Sequence, residues 1–540
     1  MAEVALQQRT LPVPAPAPVR GILANTPLFG SDAAPTSEAA ILLYNLVPRE
    51  FGCSVRKGSA EHATNIPFIT DEEVRTIAEY SAPDGTRKLL AMSDSGIYDV
   101  AAGGAGAWVA EYAWPTPGGA SGWASAKNFT NDAGTHYLLV CDEINGYVIY
   151  DGGTTAWRLP VGVTGPAVGD LVQAVEWQGR MWFVERDTGN AWYTDTAGAF
   201  EGAMSKLNMG NRFHKGGHLV ALAVWTVDDG AGMDDKLVAI SSGGDLLVWE
   251  LGGTFNPASA SDLRLAGRWT VGVPPAGRRS LSQWGGDVAV MSDEGIVKVS
   301  ALLGGVATIN ADSRITNDIS RYFSFEMDPK VIERGWQFEI NPKDRVAIVS
   351  VPTTDTELDQ RPIQFVLSTN TGAWCMYRDL DMLCMESASD DFYFGTRDGR
   401  VMKHADYADD VDLTGSTAGT ITFSMLTHYS HFGMPGQWKA AQFARVNFIG
   451  QGQPTYSIEA KFDFDLTELA TNPAFTGLPS SAWDSAIWDI DTWAGATASF
   501  NQLRGLAGQG RHVAIAMRGE TSAETSFIGV DLMFQPGGLL

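Results

Sequence analysis

A six-residue phrase that occurs twice sets the architecture of this chain. Residues 92–97 read Met-Ser-Asp-Ser-Gly-Ile and residues 291–296 read Met-Ser-Asp-Glu-Gly-Ile, each between two apolar runs. An apolar run, a polar turn with glycine and a second apolar run make a β-hairpin pattern. Looser copies turn at Asn145-Gly146, Asp187-Thr188-Gly189, Gly243-Gly244 and Arg397-Asp398-Gly399. Asn-Gly is the strongest short-range hairpin signal, because both central residues of a type I′ turn need φ > 0. Trp177-Gln178-Gly179 and Trp284-Gly285-Gly286 add a second echo, each a turn leading into a hairpin.

The hairpins fall at 88–100, 137–150, 181–193, 219–250, 288–299, 346–377 and 392–403. Their turns recur roughly every 43–55 residues, the length of a four-stranded propeller blade with loose loops. A β-sandwich would alternate too, but would not repeat one turn phrase at that interval. The expected fold is all-β: a six- or seven-bladed β-propeller combined with a β-sandwich-like platform domain. The blade number is left open by residues 300–345, which hold either a degenerate blade or an excursion.

The chain divides into four parts. Residues 1–40 are an extended Pro/Ala-rich N-terminal arm containing LPVPAPAPV, read either as a disordered tail or as an arm that orders against a neighbouring subunit. Residues 41–73 are the N-terminal part of the platform, 74–410 the propeller, and 411–540 the C-terminal β-rich platform. In that last part the strands are longer and alternate strongly, as at 421–428, 443–448 and 456–464. The propeller is then an insertion between two halves of the platform.

Composition narrows function. The net charge is −25, from 63 acidic and 38 basic residues. Such a chain does not hold nucleic acid by neutralising phosphates, nor does it bind an anionic membrane surface. The four cysteines, Cys53, Cys141, Cys375 and Cys384, have no metal-ligand spacing and are expected to be buried, reduced thiols. The N-terminus lacks the order of a signal peptide. The most sustained apolar stretch, 219–227, is far short of the ~20 residues a membrane helix needs. Synthesis in the cytoplasm without membrane insertion is expected.

Several groups were candidates for chemistry. Ser368-Thr369-Asn370-Thr371-Gly372-Ala373-Trp374 fits the Asp-box of sialidase-type propellers. That box is a turn whose polar side chains bond the backbone, and an enzyme would also need an arginine triad. Arg180, Arg212, Arg345 and Arg378 are available, but nothing in the sequence groups them. Adjacent acids occur at Asp228-Asp229, Asp234-Asp235, Asp390-Asp391 and Asp409-Asp410. A glycosidase needs two carboxylates across a sugar, whereas neighbouring acids in Gly-rich loops read as solvated turn residues. The loop 227–235 lacks the ligand order of an EF-hand. His214 with His218, and His428 with His431, lack the further ligands zinc requires. Residues 102–106 lack the Lys-Ser/Thr of a phosphate loop. Trp483, Trp488 and Trp493 recur every five residues, a period of neither helix nor strand, and read as successive turns plugging one core. No catalytic, cofactor-binding or metal-binding residue is assigned, and no cofactor is expected.

Three residue groups carry a resemblance. The first is Tyr44-Asn45-Leu46-Val47-Pro48 followed by Val55-Arg56-Lys57-Gly58. The second is the hairpin series together with Thr369–Tyr377. The third is Phe432-Gly433-Met434-Pro435 through Phe448, ahead of the closing Trp-Asp repeats. In this order they resemble the tail nozzle (tail tubular, DNA-stabilisation or hub) proteins of short-tailed bacteriophages, over most of residues 40–540. The resemblance implies a non-enzymatic structural protein of the virion tail. It implies a homohexameric ring below the portal and adaptor proteins, with tail fibres or spikes attached and viral DNA leaving through the lumen. A lumen lined by such acidic subunits would let DNA slide without being held. The alternatives are a propeller-based carbohydrate-binding or sialidase-like protein and a host-encoded propeller scaffold.

Overall fold

The repeated hairpins become the blades of a propeller. The computed structural model describes residues 11–25, 38–64, 72–105, 109–131, 133–153, 157–228, 233–252, 262–303, 313–353, 362–388, 391–410, 419–469 and 498–539. Six small sheets form a six-bladed β-propeller. The first blade is the antiparallel meander Thr76–Ser81, Arg87–Met92, Gly96–Asp99 and Val109–Ala113. Four-stranded blades follow at 124–158, 171–208 and 219–270, and a three-stranded blade at 281–298. The sixth combines Cys384–Ala388, Asp391–Gly395 and Val401–Ala405 with Gly58–Thr64, a strand from the far N-terminal side of the propeller. The ring is thereby closed by two distant pieces of chain. Residues 58–64 belong to this blade and not to the platform, where the sequence reading put them.

The repeated phrase has the expected skeletal part. In the second copy, the Ser292 hydroxyl donates to the Val271 carbonyl at 2.6 Å. The Asp293 carboxylate accepts the Val273 N–H at 2.8 Å. The turn's polar side chains thus fasten the segment arriving from the preceding blade. Gly295 has φ +121°, and a Cβ there would lie 2.6 Å from the Thr316 hydroxyl oxygen. The Trp177 and Trp284 echoes are also tight turns, with Trp177 paired to Arg180 and Trp284 to Asp287.

One expected hairpin is not a sheet of its own. The meander over 337–378 packs its first strand, Gln337–Asn341, between the first strands of the fifth and sixth blades. Its last strand, Trp374–Arg378, pairs in parallel with Ala40–Tyr44. The sheet then continues through Ile421–Thr427, Val513–Thr521 and Thr455–Phe462, eight strands in all. Propeller and platform therefore share a sheet. The stretch before this meander is an excursion, with helices Val299–Leu303 and Ser320–Lys330. Phe323 and Met327, one turn apart, bury against the core shared with the platform.

The platform's second sheet has seven strands. Its main path runs Leu46–Arg49, Gly52–Val55, Thr525–Leu539, Gln437–Gly450 and Ala498–Gly505. The two sheets enclose one core. Ala444, Val446, Phe448, Phe527, Val530, Leu532 and Phe534 from one meet Ile421, Phe423, Met425, Ile515 and Met517 from the other. The N-terminal arm orders on its own chain: Leu11–Pro16 pairs antiparallel with 529–534.

Candidate functional site

Two places concentrate buried charge: the junction of propeller and platform, and the propeller axis. At the junction the chain crosses between domains at 55–58 and again at 406–410. Arg56 in the incoming connection donates to both carboxylate oxygens of Asp409 in the outgoing one, at 2.8 and 2.6 Å. The side chains are 1% and 8% exposed. The Ser59 N–H and hydroxyl also donate to Asp409, at 3.1 and 3.0 Å. Two further guanidinium hydrogens go to the Asn45 side-chain oxygen (3.1 Å) and the Lys57 carbonyl (2.8 Å). Every guanidinium nitrogen thus has a partner, as a buried ion pair requires.

Asn45 is the second hub. It is buried, with φ +58°. Its amide donates to the Thr422 carbonyl at 2.7 Å and the Arg378 carbonyl at 3.1 Å, and its oxygen accepts the Arg378 N–H at 2.8 Å. Arg378 lies over the Tyr44 ring at 3.6 Å and pairs with Glu468 at 3.0 Å. Gly58 is required by a close approach: a Cβ there would lie 1.9 Å from the Ala408 carbonyl oxygen. Beside this clamp, His404 is buried and shares its Nδ1 with Asp344 at 2.7 Å. Burial alone would raise the Asp344 pKa, but bonds to His404 and Asn341 hold it below the usual value. A cavity of about 270 Å³ opens here, with Arg49, Lys57, Tyr377, Tyr407 and Glu524 on its walls.

At the axis, the segment joining the fourth and fifth blades crosses the ring. Arg278 donates to both oxygens of Glu143 in the second blade, at 3.0 and 2.9 Å, and to the Val220 carbonyl of the fourth at 2.8 Å. Arg279 donates to the Arg75 carbonyl at 2.9 Å and the Thr76 hydroxyl at 2.7 Å in the first blade. Two neighbouring arginines thus staple three blades. The cavity left beside them, lined by Trp123, Glu143, Arg334 and Trp336 among others, is about 20 Å³, room for little more than one water. The axis is therefore stoppered at this end. Near it, burial drives Glu386 up to about 8, with Glu339 and Glu79 adding repulsion and Arg279 opposing. Burial likewise drives Glu339 up to about 7, against bonds from Gln337 and Ile340 and the charge of Arg279. Both side chains are only half-buried, so they sit deep in the molecule yet stay in reach of solvent.

The residues singled out from sequence are not brought together. The Asp-box is the hairpin turn before Trp374–Arg378; Gly372 N–H donates to the Ser368 carbonyl at 2.8 Å, and buried Trp374 donates to the Ile315 carbonyl at 3.0 Å. Arg180 bonds the Thr194 carbonyl in the third blade. Arg212 is an exposed residue following that blade, Arg345 turns the shared meander, and Arg378 serves the junction. His428 is buried against the Leu23 carbonyl, while exposed His214 lies between the third and fourth blades. Among the described residues no group of three His, Cys, Asp or Glu is placed to hold a metal. Asp391 pairs with Lys343 and Lys403.

Asp409 is no solvated turn residue: its neighbour Asp410 caps the Glu61 N–H, but Asp409 itself is buried. All four cysteines are buried and free. Asp229, Asp390, Trp483, Trp488 and Trp493 lie outside the described residues, as do the side chains of Asp228 and Asp234. The Arg278-Arg279 staple was missed by the sequence reading. Its only local signal is a basic pair after Pro274-Pro275 in an inter-blade segment. No helix among the described residues is long and apolar enough to cross a membrane.

No protein-family model matches the chain, and no curated protein does. Solved structures similar to parts of it include the computationally designed Ika8 protein, 10% identical over 64% of this chain and 100% of that one, TM-score 0.33. Saccharomyces cerevisiae Sqt1 is 11% identical over 65% and 98%, TM-score 0.36. Chaetomium thermophilum Raptor is 11% identical over 64% and 29%, TM-score 0.35. Likenesses of this size do not bear on what the chain does.

Proposed function

We propose that this chain is a structural subunit of a short-tailed bacteriophage tail, a nozzle protein. Six copies form a ring below the portal and adaptor, DNA leaves through the lumen between subunits, and fibres or spikes attach alongside. The chain acts as a scaffold and not as an enzyme. One observation carries this reading. Asn45, Arg56 and Gly58, the residues of the opening motif that resembles the nozzle family, are the ones that join an inserted propeller to a divided platform. Their burial at the junction gives the motif a physical reason in a protein built of those two parts. The Arg278-Arg279 staple supports a DNA path outside the propeller axis, which is stoppered at one end.

Electron microscopy with light scattering of the purified protein, alone and with its adaptor, tests this. Sixfold rings of about six times the 58.0 kDa chain are expected. A persistent monomer that hydrolyses a glycan would sink the reading.

A further inference from the structure

The platform's two sheets turn their outer faces in opposite directions, and those faces differ in character. On the seven-stranded sheet the core side carries Ala444, Val446 and Phe448. The alternate residues of the same strand face outward: Phe443 is 43% exposed and Ile449 41%, with exposed Arg445 between them. Leu503, opposite Arg445 on the next strand, is 53% exposed. At one end the face continues to Phe51, 84% exposed at a hairpin tip, beside a cavity of about 440 Å³ that Ile449, Arg49 and Arg345 also line. Three arginines there stand against Glu50 and Asp531, so the face is apolar and basic on a chain of net charge −25.

The outer face of the eight-stranded sheet is covered by the strap 463–469, whose Phe464 and Leu469 pack on Ile41, Leu426, Tyr429, Ala514 and Ala516. The strap shows solvent the opposite character. Asp463, Asp465 and Glu468 are exposed, Glu459 joins them from the adjoining strand, and Leu466 is 46% exposed among them. Lys461, Arg378 and Arg518, whose guanidinium bonds the Leu469 carbonyl, offset three of these four carboxylates, and His512 pairs with Asp463, so the strap is weakly acidic.

The sheet edges point the same way. Along Leu11–Pro16, prolines 12, 14 and 16 alternate while the strand pairs with 529–534. Their missing N–H groups fall on the side away from the ladder, so that edge cannot be extended. At the other edge, among the described residues Ala498–Gly505 pairs on one side only and carries neither proline nor lysine. Long unblunted edges of that kind are places where another chain docks.

We infer that the apolar, basic outer face of the seven-stranded sheet docks on the acidic strap of a second copy of this chain. This rests on the ring reading above and names its interface. Contact between two different faces is heterologous, runs head to tail and closes into a ring when the rotation permits. Contact of either face with itself would set like charges together.

The test uses the full chain with Leu503→Cys and Leu466→Cys, both at exposed positions, and a bis-maleimide cross-linker. The native thiols are buried and do not compete. The double variant is expected to give a ladder of covalent multimers, an equimolar mixture of the two single variants only dimers, and each single variant alone none. Phe443→Glu is expected to abolish rings while leaving the circular dichroism spectrum unchanged. Rings in the unmodified protein without cross-linking of the double variant would overturn this interface and leave the nozzle reading standing. Self-linking of either single variant would overturn it in favour of a two-fold contact. Absence of both rings and cross-links would overturn both proposals.

Discussion

Replacing Asp409 by alanine isolates what holds the propeller to the platform. The substitution deletes two charged hydrogen bonds from Arg56, at 2.8 and 2.6 Å, and two more from Ser59. The Arg56 guanidinium then stays buried with only the Asn45 oxygen and the Lys57 carbonyl to meet it. Since both side chains are almost fully buried, solvent screening is small. Breaking a buried pair from one side costs about 3–5 kcal/mol, a shift of roughly 10²- to 4 × 10³-fold toward separation of the two parts. The assay is urea denaturation followed by tryptophan fluorescence, paired with limited proteolysis at the crossings 55–58 and 406–410. Asp409→Asn, which keeps the shape and some hydrogen bonds, should cost less. The double variant Arg56→Met/Asp409→Leu should recover part of the loss, because no unpaired charge remains. An Asp409→Ala protein within about 0.5 kcal/mol of the parent, the range of ordinary surface changes, with unchanged cleavage, would refute the clamp.

Gly295→Val should lower the melting temperature and expose the fifth blade to protease, since φ +121° and the Thr316 hydroxyl both oppose a branched side chain; unaltered melting would count against the turn. Glu339 and Glu386, raised to about 7 and about 8, keep their protons in the folded state at pH values where the unfolded chain has lost them. Their contribution therefore declines as pH rises from near 4.5, the unfolded value, to about 8. Glu386→Gln should then raise the melting temperature at pH 8 more than at pH 5, and an equal effect at both would refute it. Burial pushes the Cys384 thiol up to about 12 and raises those of Cys53, Cys141 and Cys375. A thiol reagent should accordingly label none of the four until denaturant is added, and fast labelling of the native protein would contradict their burial.

The blades were legible in the sequence because a hairpin is a local object. Apolar alternation, a polar turn and a glycine at 92–97 or 291–296 specify strand, turn and face within a dozen residues. The platform's long alternating strands were legible for the same reason. Which pieces of chain meet is a different matter. Arg56 and Asp409 are 353 positions apart, and each taken alone reads as an ordinary polar residue in a loop. The strand 58–64 closes the sixth blade, and 374–378 joins a platform strand in parallel, through backbone bonds that any sequence of suitable alternation could make. The pairing of Arg278 and Arg279 with three blades likewise depends on where the crossing segment runs. Local periodicity determined the units of this protein. The tertiary structure decided how they are joined, because long-range partners are selected by burial and by the need to satisfy every buried charge, and neither is written in neighbouring residues.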